Sequence, residues 1–190
     1  RMYVALYNFC AVDLSGFYFD IRKDALYCDA PDSVRRRAAR TVLDHLFDCL
    51  VKWLAPIICF TAEEAWLTRY PSEEGSVHRE LWPALPDSWL DPALGAKWER
   101  VRRVRRAVTG ALEIERAEKR IGASLQAHPI VYAPAEDIAA LDDLDFAEIC
   151  ITSGITLREG EGPGEAFRTE DVKNVAVVPQ LAAGQKCERG

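Results

Sequence analysis

Cys49 follows His45 by four residues, a spacing that places both side chains on one face of a helix. A thiol beside an imidazole is the pairing that generates a cysteine nucleophile. The same spacing arises when two semi-buried residues share the apolar side of a core helix, which is the expectation for this pair. The other two histidines, His78 and His128, are remote from it in sequence. No glycine-rich loop follows a strand and opens a helix, so neither a P-loop nor a dinucleotide site is expected. The six cysteines, Cys10, Cys28, Cys49, Cys59, Cys150 and Cys187, form no C-x-x-C pair, and most sit among apolar neighbours, where a thiol behaves as a small hydrophobe. No catalytic residue is expected in this chain.

The remaining chemistry is cationic. Arg35, Arg36, Arg37 and Arg40 crowd one helix start, and from Lys97 to Arg106 six basic residues stand against the single acid Glu99. Arg36 and Arg40 are spaced i, i+4, as are Arg102 and Arg106, with Arg105 three residues beyond Arg102. Each set shares a helix face and repels itself unless an anion intervenes. Positive charge in the first turns of a helix also opposes the macrodipole. A net charge of −6 argues against indiscriminate nucleic-acid binding, yet the acids cluster in the C-terminal third, so a local basic face survives. Two outcomes compete: contact with phosphates, or a solvated surface paired with that acidic third. Trp89 and Trp98 are by position alone either core residues or exposed stacking surfaces, with nothing in the sequence to favour one over the other.

These residues need helices to position them. Leu14, Phe17, Tyr18, Ile21 and Ala25 recur at helical spacing and predict one long helix or two abutting helices from Met2 to about Cys28, with Asp13 or Ser15 as a cap at the join. A turn at Ala30-Pro31-Asp32-Ser33 leads to a helix over 34–54 with the stripe Ala38, Val42, Leu46, Cys49, Leu50 and Trp53. Pro56 ends it, and Thr61-Ala62-Glu63-Glu64 reads as a capping box opening a short helix that stops near Tyr70. Residues 76–83 read as an extended arm. Asp91-Pro92 opens a last long helix, about 93–120, with a stripe of Trp98, Val101, Val104, Val108, Ala111 and Leu112 and with Gly122 closing it.

Beyond Gln126 the character changes. Strands are expected over 130–133, 149–157 and 175–178, a short helix over about 135–144, and a turn at Gly160, Gly162 and Gly164. The domain boundary is therefore placed at 126: a helical bundle over 1–126 and a small α/β appendage over 127–190. Lys52 and Pro56 interrupt the longest apolar region, 46–60, and no signal peptide is visible. A reduced, soluble, cytoplasmic monomer is expected. Arg1 at the start, with Met2 already in an apolar helix, suggests a chain cut from a longer one.

The stretch Asp13-Leu14-Ser15-Gly16-Phe17-Tyr18-Phe19-Asp20-Ile21-Arg22-Lys23-Asp24 closely resembles a segment of the C-terminal region of isoleucyl-tRNA synthetases. Leu54 to Trp66 is similar to a segment shared by the isoleucyl, valyl and leucyl enzymes. Within Ala111 to Ala127, Lys119-Arg120-Ile121-Gly122-Ala123-Ser124-Leu125-Gln126-Ala127 looks like the isoleucyl form in particular, and Ser76-Val77-His78 with Leu81-Trp82-Pro83 fits as well. Singly each segment is helix architecture; their order carries the resemblance.

The resemblance implies a mainly α fold, the helical bundle of class I synthetase anticodon-binding type followed by a small α/β appendage. It implies binding of the tRNA(Ile) anticodon stem-loop by a chain that works beside the catalytic and editing domains of the same polypeptide, away from any membrane. On that basis Arg35, Arg36, Arg40, Arg102, Arg105, Arg106 and Trp98 are the candidate RNA contacts. The family's His-x-Gly-His and Lys-Met-Ser-Lys-Ser signatures are absent from the sequence, so ATP and Mg belong to the parent enzyme and this fragment alone is expected to be inactive. Many relatives end in a zinc module; Lys186-Cys187-Glu188-Arg189 matches its opening, but Gly190 stands where the second cysteine belongs, so no metal is expected here, whatever zinc the parent holds. The alternatives are the same domain of a valyl or leucyl synthetase, or a helical scaffold for a protein partner.

Overall fold

In the computed structural model, which describes residues 1–184, helical backbone begins at Met2 and runs to Tyr27. It comprises α1 (Met2–Asn8), a π-helical stretch (Phe9–Tyr18), α2 (Phe19–Ile21) and α3 (Lys23–Tyr27). Leu14, Ile21 and Ala25 are buried and Phe17 and Tyr18 half-buried, so the anticipated face is the inner one. The join lies elsewhere. Asp13 and Ser15 sit inside the π stretch, and the interruption comes at Arg22, which leaves helical geometry at φ −103° and ψ 2°.

α4 (Val34–Leu54) starts where the Ser33 hydroxyl accepts a hydrogen bond from the Arg36 amide at 3.4 Å. Along its second half the expected stripe holds, with Cys49 buried and Leu46, Leu50 and Trp53 half-buried. Along its first half Ala38 and Val42 face outward while Ala39 is buried and Leu43 half-buried. The inward face is thus rotated by one residue where α4 meets α3. Pro56 stops the helix, but the chain restarts sooner than the capping-box reading required. α5 (Cys59–Arg69) has Ile58 as its N-cap, with the Ala62 amide donating to the Ile58 carbonyl at 2.9 Å. Thr61 therefore lies within the first turn, and no Thr61/Glu64 box forms. Glu63 is used instead, its carboxylate accepting from the Val77 amide at 2.8 Å. That bond places Val77 in a core with Val51, Ala55, Ala62 and Trp66. The arm is accordingly a 3-10 turn at Val77–Arg79 followed by irregular chain.

These elements make up one unit, residues 1–90; a second runs from Asp91 onward. α6 (Pro92–Ala117) opens as expected, with Pro92 in its first turn and the Asp91 carboxylate accepting from the Leu94 amide at 2.9 Å. Val101, Val104, Ala107, Val108, Ala111 and Leu112 are buried. They serve a sheet built from β1 (Ile130–Ala133), β2 (Thr156–Glu159), β3 (Phe167–Thr169) and β4 (Val172–Val178), in the order β2-β1-β4-β3. β1 pairs parallel with β2 and antiparallel with β4. Two short helices, α7 (Ala135–Leu141) and α8 (Phe146–Cys150), carry the chain from β1 to β2.

The composition change at Gln126 does not coincide with the division between the units, which falls at Leu90/Asp91. α6 contacts β3, β4, α7 and α8, and without it the apolar face of the sheet would lie open. The helix ends at Ala117 and the left-handed position is Lys119 at φ 58°, not Gly122, whose amide donates to Gln126 Oε1 at 2.6 Å. Ile149 and Cys150 are helical rather than extended, because Asp145 caps α8 through the Glu148 amide at 2.9 Å. α8 and β3 were not anticipated; both are five residues or fewer, too short for a periodic signal.

Candidate nucleic-acid interface

The four arginines at the start of α4 divide into two kinds. Arg35 and Arg36 fold back onto the preceding turn. Arg35 makes a two-pronged pair with Asp29, Nε to Oδ2 at 2.8 Å and Nη2 to Oδ1 at 2.6 Å, while Arg36 Nη1 donates to the Asp29 carbonyl at 2.8 Å. The Arg35 guanidinium, helped by the Ser33 hydroxyl, holds the Asp29 carboxyl down at about 2. One of the four positive charges at this helix start is thereby matched by a carboxylate and a second is hydrogen-bonded to a carbonyl, which relieves part of their conflict with the macrodipole.

Arg37 and Arg40 are different. Among the described residues neither guanidinium has a carboxylate partner. Both line a groove of about 520 Å³ with Thr41, Leu43, Asp44 and Phe47 of α4 and Arg69 of α5. Asp44 is already engaged by Arg69, whose guanidinium also lies 5.6 Å from the Tyr70 ring. Three cations thus face one carboxylate along the groove wall.

The basic run of α6 is largely neutralised within its own unit. Asp137, fully buried on α7, receives Arg103 and, at 3.2 Å, Arg100; Arg100 also meets Glu136 at 3.1 Å. Lys97 pairs with Asp143 and holds that carboxyl below its ordinary range. Arg105 Nε donates to the Ile149 carbonyl at 2.8 Å, Arg106 lies 3.6 Å from Asp171, and Arg102 is engaged as well. The expected Arg102/Arg106 face exists, since both residues line a second groove with Ala96, Glu99, Arg100 and Arg103, but its charge is partly spoken for. Trp98 is half-buried and in contact with its surroundings. Trp89 is exposed, its ring edge-on to His45 at 4.9 Å.

That contact bears on the thiol–imidazole pair. His45 turns toward Trp89, while Cys49 is buried and its thiol pKa raised by desolvation. The two residues share a helix, not a reaction. Among the described residues no cluster of His, Cys, Asp or Glu could hold a metal, and no helix is long and apolar enough to cross a membrane. Cys187 lies outside the described residues.

Sequence reasoning missed Arg37, Arg69 and Asp137. Arg37 belongs to the basic cluster but is not among the candidate contacts, although Arg40 stands three residues beyond it, the spacing that brought in Arg105. Arg69 comes close only because α5 packs on α4, and a single acid such as Asp137 carries no signal of burial.

The profile of the anticodon-binding domain of tRNA ligases matches residues 1–131. The chain belongs to this anticodon-binding domain family. Over 186 residues it is 58% identical to the isoleucine–tRNA ligase of Agrobacterium fabrum, which covers 97% of the chain and 19% of that protein. The isoleucine–tRNA ligases of Brucella suis, 55% identical over 190 residues, and Mesorhizobium japonicum, 53% over 193, each cover 100% of the chain. The anticodon-binding domain chain thus spans 19% of the length of these relatives.

Proposed function

We propose that this chain is the part of an isoleucine–tRNA ligase that holds the anticodon stem-loop of tRNA(Ile). One observation supports this reading above the others: residues across essentially the whole chain are 53% to 58% identical to proteins named isoleucine–tRNA ligase. The catalytic and editing domains belong to the rest of that polypeptide, which works in the cytoplasm as a monomer. ATP, Mg and any zinc act there, and the chain by itself neither activates isoleucine nor charges tRNA.

Arg40, Arg102 and Arg106 supply phosphate contacts in this reading, and Trp98 a stacking surface or a support for one. Arg35, Arg36 and Arg105, their neighbours in sequence, spend hydrogen bonds on the Asp29 carboxylate and on the Asp29 and Ile149 carbonyls, so their part is to hold the helices that present the others. Filter binding of the 190-residue chain to tRNA(Ile), tRNA(Val) and tRNA(Leu) at low salt tests the proposal. Preferential retention of tRNA(Ile) is expected. Equal retention of all three would remove the isoleucine assignment, and retention of none would remove RNA binding altogether.

A further inference from the structure

We infer that the groove between α4 and α5, walled by Arg37, Arg40 and Arg69, is the principal phosphate-binding surface of the first unit. It takes the sugar-phosphate backbone of an RNA stem. The inference rests on the RNA-binding reading above and narrows it to a site.

What sets this groove apart is unspent charge. A cation already hydrogen-bonded to a carboxylate must give up that partner to bind a phosphate, whereas a cation facing water has only hydration to lose. Arg35 is held by Asp29, Arg100 and Arg103 by buried Asp137, and Lys97 by Asp143. Arg37 and Arg40 have no such partner among the described residues. The helix offers Arg40 one candidate, since Asp44 lies at i+4 from it, within reach although in the less favourable base-before-acid order. Arg69 takes Asp44 instead. The ion pair across α4 and α5 therefore keeps Arg40 exposed and leaves the groove with an excess of two positive charges, three guanidiniums less one carboxylate.

The shape agrees with the charge. The groove is broad and open, as an extended backbone requires, and its walls come from two helices rather than a single exposed turn. Leu43 and Phe47 form part of its lining and are half-buried, so they give it an apolar side against which a ribose can lie. Arginine is suited to this task because its planar fork presents several donors to phosphate oxygens without losing its charge. In this arrangement Arg37 and Arg40 contact phosphates, and Arg69 is a positioning residue that acts by withholding Asp44.

The test uses the 190-residue chain, a tRNA(Ile) anticodon stem-loop and a salt titration from low ionic strength. Arg37→Glu/Arg40→Glu is expected to weaken binding at least tenfold and to flatten the log–log salt slope by roughly 1.4 to 1.8, about 0.7 to 0.9 for each lost contact. Arg37→Lys/Arg40→Lys should keep most of the slope, because a point charge still releases counterions. Arg102→Glu/Arg106→Glu should weaken binding less than the groove variant. Arg69→Met should weaken binding although it touches no phosphate, and Asp44→Asn/Arg69→Met should restore it. Far-ultraviolet circular dichroism establishes that each variant is folded; the lysine variant and the Asp44 rescue carry the test if the glutamate variant is not.

Binding by the unmutated chain with an unchanged slope in the groove variants would overturn this site and leave the domain-level reading intact. No binding by the unmutated chain would overturn both. Tighter binding to a poly-glutamate peptide of equal charge than to the stem-loop, lost in the same variants, would assign the groove to an acidic protein segment and overturn the RNA site.

Discussion

Arg103 and Asp137 allow the energetics of the second unit to be read as an asymmetry. Asp137 has no exposed surface, while the side chains of Arg103 and Arg100 retain 32% and 39% of theirs. Removing the acid strands two cations that can turn toward water. Removing Arg103 strands an anion that cannot reach it. Loss of one partner from a buried ion pair costs about 3–5 kcal/mol when the survivor is left uncompensated. Arg103→Met leaves Arg100 at 3.2 Å and Asn174 at 3.5 Å from Asp137, which sets the expected loss near the lower end, about 3 kcal/mol. Asp137→Asn keeps one acceptor oxygen and frees guanidiniums already close to solvent, so about 1.5 kcal/mol is expected, the scale of a single charge-assisted hydrogen bond.

For a unit of about 100 residues, a loss of ~1 kcal/mol lowers Tm by roughly 4–8 °C. Arg103→Met should therefore lower the transition by about 12–24 °C, and Asp137→Asn by about half as much. Urea unfolding at neutral pH, followed by circular dichroism and by hydrogen exchange of the β4 amides, isolates this unit from the first. The ordering is the decisive result, since it does not depend on the absolute scale. Equal losses, a larger loss for Asp137→Asn, or both variants within about 0.5 kcal/mol of the parent would refute the reasoning.

Asp29 supplies a pH dependence of known sign. Its carboxyl falls from 3.8 to about 2 on folding, so the stabilisation is fully present above the unfolded value and is lost as pH falls through the folded one. Asp29→Asn should lower the urea midpoint by a constant amount above about pH 5, and the gap to the parent should shrink progressively as pH falls from about 5 towards 1, most of it being gone by about pH 2. A gap undiminished at pH 2 would mean that Arg35 is not the source. Gly162 lies at φ 70°, and a Cβ there would stand 2.8 Å from the Tyr132 ring. Gly162→Ala should cost more than about 1 kcal/mol, because backbone strain and the close approach act together, whereas Gly164→Ala, with open space around it, should cost less; equal melting temperatures would contradict this.

Local chemistry marked the helices but not their partners. Asp91 caps α6 where turn chemistry places it, Ser33 rather than Asp32 of the preceding turn caps α4, and the stripe from Val101 to Leu112 is the buried face of α6, because capping and helical periodicity act within a few residues of the chain. The isoleucyl-type segments likewise mark the family without any tertiary contact, because they are runs of adjacent residues. Three features lay beyond that range. The start of α5 at Cys59 overrides a well-formed capping box because packing against α4 and Val77 decides where the turn resumes. The division at Leu90/Asp91 depends on which surface α6 covers, and composition records only where strands begin. Above all, the arginines look alike in sequence, and what separates them is the anion each one meets. Asp29 is six residues from Arg35, Asp44 is 25 from Arg69, and Asp137 is 34 from Arg103. Charge type is a local property, but whether a charge is spent depends on how the chain is folded around it.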